Sequence, residues 1–144
     1  MKKALVIIFV AIIAIAVWYG YREYTRTNKD LKAFAADVKT DAPSLIEAFQ
    51  KDSSKASKTY TDKIVSVTGN VKKIDSDGNP VILFLGSQGE MSSVKCSMDS
   101  LHSADYKLVK PGTNVTVKGR CTGGESRDLF GTDVTLNFCV LEKQ

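Results

Sequence analysis

The stretch KIVSVTGNVKKI, Lys63–Ile74, constrains this chain more than any other. Val65, Val67, Gly69 and Val71 alternate with Ser66, Thr68 and Asn70, which is the period of a strand with one face buried. A glycine inside such a strand marks a bulge or a sharp coil. The next segments also read as sheet. Asp75-Ser-Asp-Gly-Asn-Pro80 is a turn built from residues that tolerate left-handed angles. Val81–Leu85 is a short apolar strand, Gly86–Gly89 turns again, and Met91–Met98 is a third strand with Val94, Cys96 and Met98 on one face. Asp99–Tyr106 reads as a short helix or loop. Lys110-Pro-Gly112 turns into a fourth strand, Asn114–Cys121, and a fifth spans Asp133–Leu141.

Ahead of the strands, Asp41–Glu47 reads as a helix start. Ser44 is the expected cap, with Glu47 three residues on to complete a capping box. Leu45, Ile46 and Phe49 supply its apolar side, and Gln50–Tyr60 is polar with Ala56 and Tyr60 as anchors. The order is one helix, three strands, a short helical linker and two strands. The chain contains no βαβ pattern and no internal repeat. The expected fold is mainly β: a five-stranded OB-fold barrel with an N-terminal helix, preceded by a single transmembrane helix.

The transmembrane expectation rests on Ala4–Tyr21, 18 apolar residues after Lys2 and Lys3, closed by Trp18, Tyr19 and Tyr21. That length just spans a bilayer, and the aromatics suit its headgroup boundary. The run ends in Val-Trp-Tyr rather than small residues, which disfavours signal cleavage, and no cysteine follows it for lipidation. Residues 1–21 are therefore expected as an uncleaved signal anchor, 22–40 as a stalk and 41–144 as the OB-fold domain. The domain is expected outside the cytoplasm, on the periplasmic side of a bacterial inner membrane. Leu31, Phe34, Ala35 and Val38 are spaced along one helical face, so the stalk either extends the anchor helix or docks on the domain. Charge sharpens this division. Residues 1–40 carry seven Lys/Arg against three acids, while 41–144 carry thirteen of each sign. A domain with no net charge lacks the bulk electrostatic footprint of a nucleic-acid binder.

The pieces VSVTGNVKKID, VKCSM, KPGTNVTVKGRCTG and DVTLNFC together resemble the bacterial tRNA-anticodon-binding-like OB-fold family, over roughly Ala42 to Leu141. The resemblance implies a small exported protein, often with an anchor or lipoprotein signal, and implies no established activity. The loop Gly123–Thr132 looks longer than the family carries.

Three cysteines in an exported chain allow at most one internal bridge. A regular hairpin around residues 123–132 sets Cys121 opposite about Asp133, roughly 20 Å from Cys139 at about 3.3 Å per residue. In an OB barrel the third and fifth strands are neighbours, so Cys96–Cys139 is the expected pair, with Cys121 a buried free thiol. Alternation sets Cys139 on the face opposite Leu136 and Phe138, so this pair needs a bulge in strand five. The alternative is three reduced cysteines packed as small apolar groups.

No constellation points to an enzyme, and no cofactor is expected. Cys96, Cys121 and Cys139 contain no CxxC spacing for zinc. His102, the single histidine, lies among Ser100, Ser103 and Asp105, which read as a polar linker rather than a triad. Asp75, Asp77 and Asn79 start like a calcium loop, but Pro80 and Gly86 stand where that loop needs glycine and glutamate. The expected function is binding, through the face that OB-folds present on strands two and three. Its candidates are Lys72, Ile82, Phe84, Lys95 and Ser97, with Arg120, Arg127 and Phe130 from the later strands and loop. The expected partners are the membrane and an envelope protein, oligosaccharide or small molecule. Single-stranded nucleic acid is the rival, disfavoured by the charge balance and the few aromatics.

Overall fold

A computed structural model describes residues 2–24, 30–127 and 131–142, with side chains at 11–22, 30–126 and 131–142. Helix α1 (Lys2–Tyr24) is followed by a 3₁₀ turn (Leu31–Ala33), strand β1 (Val38–Asp41) and helices α2 (Ala42–Lys51) and α3 (Ser53–Tyr60). Strands β2 (Ile64–Asp75), β3 (Ile82–Leu85) and β4 (Ser93–Met98), a second 3₁₀ turn (Ser103–Leu108), and strands β5 (Asn114–Arg127) and β6 (Gly131–Glu142) complete the chain.

Strand β2 closes the barrel because both of its edges are used. Ile64–Asn70 pairs antiparallel with β5, and Val71–Asp75 pairs antiparallel with β3. From β3 the sheet runs through β4 to a parallel β6 and back to β5. This is the expected five-stranded barrel. Gly69 allows the coil: an added Cβ there would lie 2.8 Å from the Ala42 side chain at the start of α2. The alternation predicted for β2 holds, with Val65, Val67 and Val71 fully buried.

Helix α2 packs its Leu45, Ile46 and Phe49 face onto the barrel, each side chain contributing on the order of 1.5–3 kcal/mol by burial. Its cap differs from the expected one. Asp41 caps it, accepting from the Ser44 backbone N–H at 3.1 Å, and Pro43 stands in the first turn, where its missing N–H costs nothing. The Asp41 carboxyl is held below its usual range by the Ser44 hydroxyl and N–H. The polar stretch after α2 is a second helix, restarted by Asp52, which accepts from the Lys55 N–H. Phe49 and Tyr60 bring the two helices together, with ring centroids 6.1 Å apart.

Of the two paths expected for residues 22–40, docking on the domain holds from Asp30 onward: as a strand that the sequence did not reveal, β1 adds to β2 in parallel, with Val38 opposite Val65. The preceding segment is clasped from both ends. Lys118, its side chain only 7% exposed, donates to the Phe34 carbonyl at 2.7 Å and pairs with Glu142 at 3.3 Å. The Ser66 hydroxyl donates to the same carboxylate and, together with Lys118, lowers its pKa. At the other end His102 Nε2 lies 3.1 Å from Asp30, which accepts from the Lys32 N–H. That N–H and His102 hold the Asp30 carboxyl below its usual range. The polar linker around His102 is therefore part of a clasp.

β5 and β6 differ from expectation: among the described residues of 123–132 the chain is strand, with β5 running on to Arg127 and pairing with β6 from Gly131. Cys121 therefore lies opposite Leu136, not Asp133. Phe138 takes a left-handed φ of 55°, uncommon for so bulky a residue. That bulge reverses the face sequence of β6. Cys139 turns inward and is fully buried, while Phe138 points out, 37% exposed. The bulge required for a Cys96–Cys139 pair is thus present, and the structure carries all three cysteines as buried free thiols, the alternative packing. The register sets Cys139 opposite Met98 and Cys96 opposite Leu136. The two cysteines are neighbours across the β4–β6 pair, and their thiols interact. Burial and the adjacent Cys96 thiol push the Cys139 thiol well up, and burial raises Cys121.

Among the described residues no helix is long and apolar enough to cross a membrane. Side chains as far as residue 10, which include much of the expected anchor, lie outside the described residues.

The packing makes two outcomes testable. A Cβ at Gly119 would fall 2.5 Å from the Cys139 sulfur. Gly119→Ala should therefore destabilise the protein by about 1–3 kcal/mol, and Cys139→Ala in the same chain should recover part of the loss, as read by urea denaturation in a double-mutant cycle. Glu142→Gln leaves Lys118 without its carboxylate and should cost about 1–3 kcal/mol at neutral pH. Because the folded Glu142 pKa is depressed, this stability is present above the unfolded value and is lost as pH falls through the folded one. The difference between variant and wild type should shrink on acidification.

Candidate ligand-binding face

Pleating decides which side chains of β3 and β4 face outward, since alternate residues point to opposite sides of a strand. Leu83, Leu85, Val94 and Cys96 fill the core. Ile82, Phe84, Lys95 and Ser97 stay half-buried on the outside, where Ile82 lies opposite Ser97 and Phe84 opposite Lys95. Four of the expected ligand residues are therefore brought together as one patch. The row through Phe84 extends to both sides, to Lys73 on β2 and from Lys95 to Thr135 on β6.

Lys72 is on β2 but has another role. Its ammonium donates to the carbonyls of Glu90 and Ser92 and ties down the β3–β4 turn. Arg120 is exposed on β5, opposite Asn137 of β6. It is separated from Ser97 by the bulge that carries Phe138. The Arg127 side chain and Phe130 lie outside the described residues.

Sequence reasoning passed over the residues that shape the surface. Lys95 forms an ion pair with Asp133 at 2.8 Å, and Ser93 donates to the same carboxylate. This pair is the shared wall of two grooves. One, of about 350 Å³, is lined by Lys72, Lys73, Phe84 and Met91. The other, of about 600 Å³, is lined by Ser57, Thr61, Thr122, Glu125 and Thr135, with Gly123 and Gly124 also contributing. The Thr61 hydroxyl is buried without a hydrogen-bond partner among the described residues. Asp133 and Thr135 alternate outward along β6 and could have been found by pattern; Ser57 and Thr61 arrive from α3, which the sequence did not reveal as a helix. Followed around the barrel through β3, β4 and β6, five strands at about 4.8 Å spacing give a track along an arc of about 19 Å from β2 to β5. Its β2 end is basic and partly aromatic, and its β5 end is hydroxyl-rich and acidic.

His102, engaged with Asp30 and 3.8 Å from Asp105, lies away from this track. Asp75 accepts from the Asp77 N–H, so the calcium-like segment is a turn closed on itself. Among the described residues no group of three His, Cys, Asp or Glu is arranged to hold a metal ion.

Comparison with known proteins agrees with the barrel. A lipoprotein of Klebsiella pneumoniae subsp. pneumoniae MGH 78578, for which nucleic-acid binding has been proposed, superposes with a TM-score of 0.56 at 20% identity. The match covers 82% of this chain and all of that one, and at this identity it speaks for the fold alone. An aspartyl-tRNA synthetase assigned in Leishmania major Friedlin has a TM-score of 0.45 at 9% identity, over 81% of this chain and 22% of the synthetase. No curated protein sequence matches. The tRNA_anti-like family model matches residues 1–136, nearly the whole length, and the chain belongs to that family.

Proposed function

We propose that this protein is a membrane-anchored, extracytoplasmic binding module whose ligand is an extended polyhydroxylated molecule of oligosaccharide type. The observation that carries the ligand class is the pair of grooves sharing the Lys95–Asp133 wall. OB-folds bind oligosaccharides and oligonucleotides on this side of the barrel. Hydroxyls of Ser57, Thr122 and Thr135 suit a ligand that both donates and accepts hydrogen bonds, and Phe84 offers a flat apolar contact. A phosphate backbone would meet Asp133 and Glu125 along the same track.

The anchor reading is supported by the apolar run Ala4–Tyr21. In α1, Ile12, Ile15, Val17 and Trp18 are all exposed, so the helix has apolar surface without a protein partner among the described residues. Arg22 stacks over Trp18, 5.7 Å from its centroid, an arrangement suited to the headgroup boundary. Export to the cell envelope follows from this reading of the N-terminus.

A second reading, single-stranded nucleic acid, draws on Phe84, Phe138, Lys73 and Arg120, which together offer stacking and positive charge. It matches what has been proposed for the Klebsiella lipoprotein.

Calorimetric titration of the full chain in detergent separates the two. A β-1,4-linked N-acetylglucosamine tetramer should bind with an affinity that changes little between about 50 and about 200 mM salt, and Phe84→Ala should weaken it about tenfold or more. Short oligothymidine binding that falls steeply over that range would establish the second reading instead. If neither probe binds, the oligosaccharide proposal fails.

A further inference from the structure

Among the described residues, the domain's two most exposed leucines lie at the corner where the chain enters it. Leu101 is 62% exposed and Leu108 is 83% exposed, on either end of the 3₁₀ turn that clasps Asp30 through His102. Leu108 also walls a groove of about 490 Å³ whose apolar lining includes Val109, Val115 and Leu141, with Lys32 beside it. Lys107 and Lys110 are exposed on the same segment. Of the nearby acids, Asp30 and Asp105 both face His102, at 3.1 and 3.8 Å. The third acid, Glu142, lines the same groove and is paired with Lys118 at 3.3 Å. The corner therefore combines apolar tips with three exposed lysines, while its acids are engaged by His102 and Lys118.

Tether length decides what this corner meets. Five residues, Thr25 to Lys29, separate the end of α1 at Tyr24 from Asp30. Even fully extended, they hold Asp30 within about 20 Å of the helix end. A domain of this size has a radius of gyration of about 13 Å, so the tether is shorter than the domain is wide. The domain cannot rotate freely above a membrane, and the side carrying Asp30 is the side held against it.

We propose that the Leu101–Leu108 corner, with Lys32, Lys107 and Lys110, docks on an anionic lipid surface and fixes the orientation of the barrel. This rests on the anchor reading above. Leucines at the acyl boundary with lysines at the headgroup level are the division of labour by which peripheral surfaces bind anionic bilayers.

The test uses the full chain in nanodiscs of phosphatidylcholine alone and of phosphatidylcholine with phosphatidylglycerol. Backbone hydrogen exchange over residues 99–112 should be about threefold or more slower in the anionic discs. A Leu101→Ser/Leu108→Ser variant should lose that protection in both discs. A Lys107→Gln/Lys110→Gln variant should abolish the difference between lipids. Equal exchange in both discs, unchanged by either variant, overturns the docking surface while the protein still resists alkaline carbonate extraction. Release by carbonate overturns the anchor reading, and this proposal with it.

Discussion

The pairing of β2 with neighbours along both edges is the constraint on which the rest depends. Its first half gives one edge to β5 and the other to β1, and its second half gives that latter edge to β3. A strand can serve partners in such different directions only if it coils, and the coil centres on Gly69, where Ala42 occupies the space of a missing side chain. Closure and helix docking are therefore one event. Without it, β3 and β4 would be a hairpin with a free edge, exposed to pairing with other chains. With it, their outer face becomes the middle of a continuous surface that β6 and β5 extend.

A single backbone angle does comparable work at the far end of the chain. Phe138 in the left-handed region costs on the order of 1–3 kcal/mol, and the surrounding ladder holds it there. In return Cys139 and Leu136 both face the core, Phe138 joins the outer surface, and Val140 is buried beside Lys118. The core, the candidate binding face and the seat of the N-terminal segment meet at this bulge.

The charges are arranged by function more than by number. Lys118 is buried because two carbonyls and a carboxylate receive it, and it holds residues 30–36 to the barrel. Lys95 and Asp133 neutralise each other at the centre of the outer track, leaving Lys73 toward one end and Glu125 toward the other. A balanced count over the domain thus conceals a polar gradient along one face.

What the sequence by itself determined is whatever depends on near neighbours. Alternation alone assigned Ile82, Phe84, Lys95 and Ser97 to one outer face and Val65, Val67 and Val71 to the core, because side-chain direction in a strand has a period of two. The five barrel strands and their order were legible for the same reason. The helix cap was misjudged by three residues because Asp41 and Ser44 are both good caps, and only the path of the chain out of β1 chooses between them. Tertiary structure alone decided the parallel pairing of β1, the extension of β5 through its glycines, the bulge at Phe138 and the meeting of α3 with the groove. Each is a matter of register between segments far apart in the chain. Register is set by the summed fit of whole faces, and no local pattern of residues records that sum.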